Sequence, residues 1–395
     1  MEDILIISNY YPPEKGAAAN RIEQLALKLD QNGYQVSVIS PLPNYPKGEL
    51  FPEYKGKFSV TEKIQNITLK RLWIYPSNSS NIFKRIVSTL SFSTTLFLYL
   101  LFAKIPQKVI VQSPPLLLSF TAVLALWIRR KKIILNVSDL WPTAAIELEV
   151  LKKNSISHKI LLFIERFIYK KATHIFGQSN EIIVHIHSIF PEKKCFLYRN
   201  YPDHFVENIS EEKQTSSEPI KLFYAGLLGV AQGVFELLQH LELNNLNIEL
   251  HIFGDGAEKT EILNFLNQNH LKNVIFHGML ERKVLHETLQ NLDIALVPLK
   301  TRIYGSVPSK IFEYSTLGFP VLYFGGGEGE NIVEENNLGW VVPVEDFNGL
   351  NNAIKEISLI EKNEIQVLKK QIFLHAKMNF SLDEQIKKLI ENEAF

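Results

Sequence analysis

The sequence predicts a two-domain α/β protein in which each domain is a doubly wound, mostly parallel sheet. Three observations carry this. The chain has 395 residues, and at about 150 residues per domain two domains are expected. Short β-rich runs alternate with helical stretches, the order of a parallel sheet covered on both faces. The alternation stops at a polar stretch and then begins again.

In the first half, Asp3–Ser8 reads as a buried strand because four apolar residues follow one another. Asn20–Asp30 carries Ile22, Leu25, Ala26 and Leu29 at helical spacing. Tyr34–Ser40, Asn66–Ile74, Lys108–Gln112, Lys132–Val137 and Thr173–Gly177 read as further strands. Leu116–Ile128 and His158–Lys171 read as helices between them. Asp203–Glu218 is polar and marks a linker. Beyond it, Ile220–Ala225, Asn247–Phe253, Val274–His277, Ile294–Pro298 and Pro320–Phe324 are strands, with a helix at Gly233–Leu243. Ser381–Asn392 is an amphipathic helix with Ser381 and Glu384 at capping-box spacing. The domains are therefore expected at 1–205 and 219–378, with a linker at 206–218 and a terminal helix at 379–395.

A hydrophobic content of 46% with 21% charged residues excludes a disordered or fibrous chain. The 42 Lys and Arg balance 42 Asp and Glu, which excludes nucleic-acid binding through general basicity. The balance hides a split. Residues 1–200 carry 26 basic against 14 acidic residues, and the remainder 16 against 28. Such asymmetry points to two domains with different partners. Cys195 is the one cysteine, so no internal disulfide forms and a reducing compartment fits. The start, Met1-Glu2-Asp3, lacks the basic region of a signal peptide. Ile86–Ala103 is free of charge and sits at the lower length limit for a membrane span. Its serines and threonines favour a buried or interfacial helix.

Open α/β sheets bind ligands beyond the carboxyl ends of their strands. After the first strand, small residues follow Gly16 up to a helix start (Gly16, Ala17, Ala18, Ala19, Asn20, Arg21), where backbone N–H groups can approach an anion. In the second half, Pro308-Ser309-Lys310 opens a helix and puts a cation in its first turn, against the helix dipole. A bound anion removes that conflict. Glu313 lies on the same face and can accept two hydrogen bonds from a vicinal diol such as a ribose. The run Gly325-Gly326-Gly327-Glu328-Gly329 follows a strand and is either a flexible turn or a place of backbone contact with ligand. Asp139 ends another strand, as a ligand contact or a turn residue. The eleven histidines show no ligand spacing for a metal.

The stretches NYYPPEKGAAANR, NVSDLWPTAA, YAGLLGVAQG, FGDG, FHGML, VPLK and VPSKIFEYSTLGFPVL together resemble glycosyltransferase family 4, and within it the bacterial N-acetyl-L-fucosamine transferase branch of O-antigen and capsule synthesis. The resemblance implies the GT-B fold, two Rossmann-like domains facing across a cleft, with a C-terminal helix returning toward the first. It implies retaining transfer of a sugar from a UDP-sugar, with no metal or other cofactor. Glu313 would hold the ribose. Lys310 and the helix start at Ser309 would hold the diphosphate, and Gly278 and Met279 would read the base. Gly226, Gly326 and Gly327 would line the donor site, and Gly16, Ala17 and Arg21 would face it from the first domain.

The chain departs from the family in three places. The paired-glutamate motif has Gly at 305, the first-loop cations are Leu227 and Gln232, and Ser113-Pro114-Pro115 stands where many members place a histidine. Lys310 then carries more of the phosphate, with Arg21 or Arg199, and Asp139 becomes the substitute for orienting the acceptor. The charge split and the apolar segment point to a polyprenyl-diphosphate-linked saccharide acceptor at an anionic membrane. Lys84, Arg85, Arg129, Arg130, Lys131 and Lys132 are the expected contacts, and the location would be cytoplasmic, peripheral on the inner face of the cell membrane. A GT-B epimerase and a non-catalytic nucleotide-sugar sensor remain alternatives.

Overall fold

The computed structural model describes residues 2–79, 81–203, 218–269 and 271–395. The expected linker 206–218 therefore lies, except for Glu218, outside the described residues. The chain divides into two compact units, one of Met1–Asn200, Tyr304–Ser306 and Asp383–Phe395, the other of Tyr201–Ile303 and Val307–Leu382.

The first unit contains β1 (Asp3–Ile7), α1 (Ala17–Gln31), β2 (Gln35–Pro41), β3 (Ser59–Ile64), β4 (Ile67–Leu72), α2 (Ile82–Phe102) and β5 (Lys108–Ser113). It continues with α3 (Leu116–Ile128), β6 (Lys132–Val137), α4 (Thr143–Glu147), α5 (Ile156–Lys171), β7 (His174–Gly177), α6 (Asn180–Ile189) and β8 (Cys195–Leu197). The strands form one sheet in the order β3-β4-β2-β1-β5-β6-β7-β8. All neighbours are parallel except β3, which pairs antiparallel with β4. The central strands are nearly unbroken apolar runs because both faces are covered. β3 and β8 escape a sequence reading for opposite reasons. β3 lies at the edge with every second residue exposed, and β8 has three residues.

Helix starts are satisfied locally. Asn81 accepts from the Phe83 and Lys84 amides, Ser155 from His158, and Ser179 from Ile182. Helix α2 begins before the charge-free segment because Asn81 caps it. Phe83–Phe102 is long and apolar enough to cross a membrane by length and composition. One stripe of it, Phe92, Leu96 and Leu100, is fully buried in the core of the unit.

The second unit contains β9 (Ile220–Leu227), α7 (Val234–His240), β10 (Ile248–Asp255), α8 (Lys259–Asn269), β11 (Val274–Gly278), α9 (Arg282–Leu289) and β12 (Ile294–Pro298). Then follow α10 (Ser309–Thr316), β13 (Val321–Phe324), α11 (Glu328–Glu335), β14 (Gly339–Val342), α12 (Phe347–Ile357) and α13 (Lys362–Asn379). Its sheet is parallel throughout, in the order β11-β10-β9-β12-β13-β14. Helix α13 is pinned by two buried lysines. Lys362 pairs with Asp293, which also accepts from the Lys221 amide at 2.8 Å. Lys369 donates to Leu292 O at 2.8 Å and lies over the Phe319 ring. A last helix, α14 (Leu382–Glu391), falls with the first unit after its first residue. Asp383 reaches Lys28 at 3.0 Å, and Gln385 exchanges hydrogen bonds with the Arg199 backbone.

Two glycines set how closely β9 and β10 end. Gly254 has φ +143°, and a Cβ there would collide with Gly226 O. The strands pair through this point, Gly254 opposite Gly226. Gly254→Ala therefore pushes the β9 end outward. It is expected to cost about 1–3 kcal/mol of stability, read as a lower urea midpoint with an unchanged m-value.

Candidate functional site

At the carboxyl end of β9 the second unit holds a cation in an unusual setting. Pro308 is the cap residue of α10 rather than its first turn, so Ser309 and Lys310 are the first two helical residues. The Lys310 ammonium donates to Ala225 O and stands 4.4 Å from the centre of the Tyr224 ring. Tyr314 Oη donates to the same Ala225 O at 2.7 Å, and Tyr224 Oη donates to Leu227 O at 2.5 Å. Gly226 has no room for a side chain because the Lys310 ammonium occupies it. Burial pulls the Lys310 pKa down to about 8, and Glu313 on the same helix opposes that shift. Glu313 is half-exposed, with its carboxylate 3.9 Å from His286 Nε2.

The remaining donor residues lie around the same sheet end. Gly278 closes β11 with φ +74°, where glycine avoids strain, and Met279 beside it is exposed. The glycine run after β13 is not one loop. Gly327 is the cap residue of α11, and Glu328 is already helical and buried. Tyr323 Oη donates to Gly326 O at 3.0 Å, and Arg302 packs on Gly326 and Gly327. Leu227, in place of a cation, is exposed. Beside Gln232, Lys300 donates its amide to Ala231 O at 3.1 Å and pairs with Glu236 at 2.8 Å. Gln232, Glu236 and Lys300 line a shallow concavity. A cation thus stands near the loop that lacks its own.

In the first unit, Gly16 is the cap residue of α1, with φ 150°, and Ala17 is the first helical residue. Arg21 is expected at a donor phosphate, but the structure gives it internal partners. Its guanidinium donates to Gln178, to Gln112 at 3.1 Å and to Ser138 at 2.5 Å. Asn136 donates to Gln112 at 2.9 Å. The guanidinium is fully buried, and its N–H groups serve the ends of β5, β6 and β7. Arg199 is also buried. Asp139 follows Ser138, and burial raises its carboxyl pKa against the opposing pull of Arg21.

Position 305 has a physical reason to be glycine. Its φ is +87°, and a Cβ would meet Leu140 and Ile182 at 3.0 and 3.1 Å. The Gly305 amide donates to Glu181 at 2.7 Å, its carbonyl accepts from Ser179 at 2.7 Å, and the Tyr304 amide donates to Glu147 at 2.8 Å.

The six expected membrane cations do not act alike. Arg129 donates to Leu100 O at 2.8 Å and Ala103 O at 2.5 Å, Lys131 to Ile105 O at 3.0 Å, and Lys132 to Phe395 O at 2.8 Å. Those three charges are taken up by carbonyls of their own unit. Lys84, Arg85 and Arg130 are exposed. No group of three His, Cys, Asp or Glu suited to a metal occurs among the described residues. His185 and His187 are satisfied, by Glu165 at 2.9 Å and Lys193 O at 3.0 Å.

Two α/β units, each built on a largely parallel sheet, have the GT-B fold. Residues 205–372 match the family described as Glycosyl transferases group 1, and the enzyme is of the hexosyltransferase type. The chain is 25% identical over 385 residues to a probable glycosyltransferase, WbjE, of Pseudomonas aeruginosa, covering 92% of each. Its fold is similar to that of Anabaena Alr3699/HepE in complex with UDP (TM-score 0.66, 12% identity, all of both chains). It is also similar to WaaG, a glycosyltransferase involved in lipopolysaccharide biosynthesis (TM-score 0.63, 14% identity, 98% and 99% of the chains).

Lys310 makes a pH prediction. Its pKa is about 8 folded and 10.5 free, so the unfolded chain binds more protons between those values and stability rises with pH across that window. Lys310→Met removes the buried charge. It should stabilise the ligand-free protein by about 1–3 kcal/mol near neutral pH and flatten the rise above pH 8, as read by urea unfolding across pH.

Proposed function

We propose that this enzyme transfers a sugar from a UDP-sugar to a polyprenyl-diphosphate-linked saccharide, with retention, in bacterial surface polysaccharide synthesis. The motif resemblance supports an N-acetylated deoxysugar such as N-acetyl-L-fucosamine as the sugar. The single observation that carries the donor reading is the buried Lys310 ammonium at the β9 terminus with Glu313 one turn further along α10. A buried cation of lowered pKa needs an anion, and the diphosphate supplies one.

In this reading Lys310 and the amides at Ser309 hold the diphosphate, with Gly226 leaving room for the ammonium. Glu313 accepts from the ribose hydroxyls. The backbone at Gly278 and Met279 reads the base, and Gly326 and Gly327 line the sugar. The complex of Alr3699/HepE with UDP supports a uridine nucleotide. As the sugar departs, charge develops on the diphosphate, and a fixed cation in a shielded setting stabilises it more than water does. The leaving oxygen takes the acceptor proton, so neither a protein nucleophile nor a metal is required. Asp139, drawn toward its ionised form by Arg21 against the opposing effect of burial, orients the acceptor hydroxyl. The acceptor lipid places the enzyme in the cytoplasm, peripheral on an anionic membrane face.

Titration with UDP tests the ribose assignment, and Glu313→Ala should weaken binding by at least tenfold. Unchanged affinity would remove Glu313 from the site. Lys310→Ala should lower turnover by roughly tenfold to a hundredfold, since a hydrogen bond to a charged group is worth about 1.5–3 kcal/mol. UDP release only when a lipid-linked saccharide is added separates a transferase from an epimerase or a sensor.

Asp139→Asn keeps the shape and removes the charge. It should reduce turnover while leaving UDP affinity within about twofold. A matching loss of UDP affinity would instead give Asp139 a structural part in the first unit.

A further inference from the structure

The first unit carries an apolar rim at one end of its sheet, and we propose that this rim is the surface that docks on an anionic lipid bilayer. The proposal rests on the lipid-linked acceptor read above and names the surface that serves it.

Topology places the rim. A helix joining two parallel strands runs back against them, so its first turn lies at the carboxyl end of the sheet. Helices α2 and α5 both join parallel strands, and both pack against α3. Their first turns therefore flank the end where Asp139 follows β6. The Arg85 charge is felt by Tyr10, two residues beyond Ser8 in the loop after β1, which places the start of α2 at that end too.

Both first turns expose large apolar side chains. On α5, Ile156, Ile160 and Phe163 share one face at i, i+4 and i+7 spacing and are 79%, 54% and 64% exposed. Val150, in the loop leading to α5, is 73% exposed. On α2, Phe83 and Ile86 repeat the pattern, at 73% and 48%. Protein surfaces seldom group such side chains on the exposed start of a helix without a partner.

The charges choose the partner. Lys84, Arg85, Lys152, Lys153 and Lys159 are all exposed and interleave with these apolar residues. From 148 to 163 the acidic residue is Glu149. Apolar side chains in a basic field match an acyl boundary beneath anionic headgroups. The opposite stripe of α2 is core, so in this proposal α2 meets lipid by its first turns. The basic run 129–132 lies between the end of α3 and the start of β6, at the other end of the sheet. It is therefore no part of this surface.

The experiment is vesicle flotation of the full chain. Phosphatidylcholine vesicles are compared with vesicles that also contain phosphatidylglycerol, at low and high salt. The wild type should float with the anionic vesicles and be released by salt. The triple variant Ile156→Ser, Ile160→Ser, Phe163→Ser should lose at least tenfold in the bound fraction, and Lys152→Glu with Lys153→Glu should lose the anionic preference. Val367→Ser, an exposed site on α13, should float as the wild type does. UDP binding is measured in each variant. If it persists while flotation is absent from the wild type, or equal in the triple variant, the docking surface falls and the donor reading stands. If UDP binding is absent from the wild type while flotation follows the predicted pattern, the donor reading falls alone. Two other outcomes overturn the proposal: association that resists salt and yields only to detergent, and a triple variant that turns a dimer into a monomer.

Discussion

The arrangement of the second unit depends on one constraint, the burial of the Lys310 ammonium against the end of β9. A charge inside a protein is costly unless something compensates it. Here the compensation is partial. One backbone carbonyl accepts, one aromatic face lies beneath, and Glu313 adds its field. Ala225 O already accepts from Tyr314, so the ammonium shares that acceptor. The ammonium fills the space that a Cβ at Gly226 would take, and Gly226 O lies against the Cβ position of Gly254. The end of β9 thus accommodates a charged side chain whose burial is costly. Enzymes commonly keep such strain at the site and offset it elsewhere. In this unit the offset includes the pinning of α13 by Lys362 and Lys369.

Much of the fold was legible because parallel strands buried on both faces leave apolar runs that periodicity detects. The strands that were missed give a weaker signal: β3 is a half-exposed edge, β8 has three residues, and β14 is an edge strand with three of its four residues only partly buried. Lys310 and Glu313 were legible because a cation in the first turn of a helix contradicts local electrostatics. Tyr224 and Tyr314 were not. A tyrosine in a strand or helix looks like core, and only the fold shows that both hydroxyls reach backbone carbonyls around the lysine.

Arg21 and the basic run at 129–132 show a different limit. Sequence displays a charge but not what the charge is spent on. Arg21 stands in the first turns of α1, as an anion-binding residue would, yet three side-chain oxygens from separate strands and loops claim it. These partners lie far along the chain, so no local pattern announces them. Three cations of the 129–132 run are tied to carbonyls at or just after the end of α2 and at Phe395. Helix ends leave acceptors unsatisfied, and a nearby cation answers those of α2. A cluster of basic residues at the amino end of a strand is thus a structural device.

The charge split of the sequence then takes on a narrower meaning. The excess of basic residues in the first half is not one basic surface. Part of it is taken up within the first unit: Arg21 and Arg71, in β4, are buried, and Arg129 and Lys132 donate to backbone carbonyls. The exposed part includes the cations at the starts of α2 and α5, where apolar side chains also emerge. Charge alone would favour any anionic partner and would be screened within about 10 Å at moderate salt. Apolar side chains alone would favour self-association. Their conjunction at the end of the sheet that carries Asp139 is what the proposed lipid surface would answer, with charged headgroups over an apolar interior. That surface would then lie beside the residue proposed to orient an acceptor.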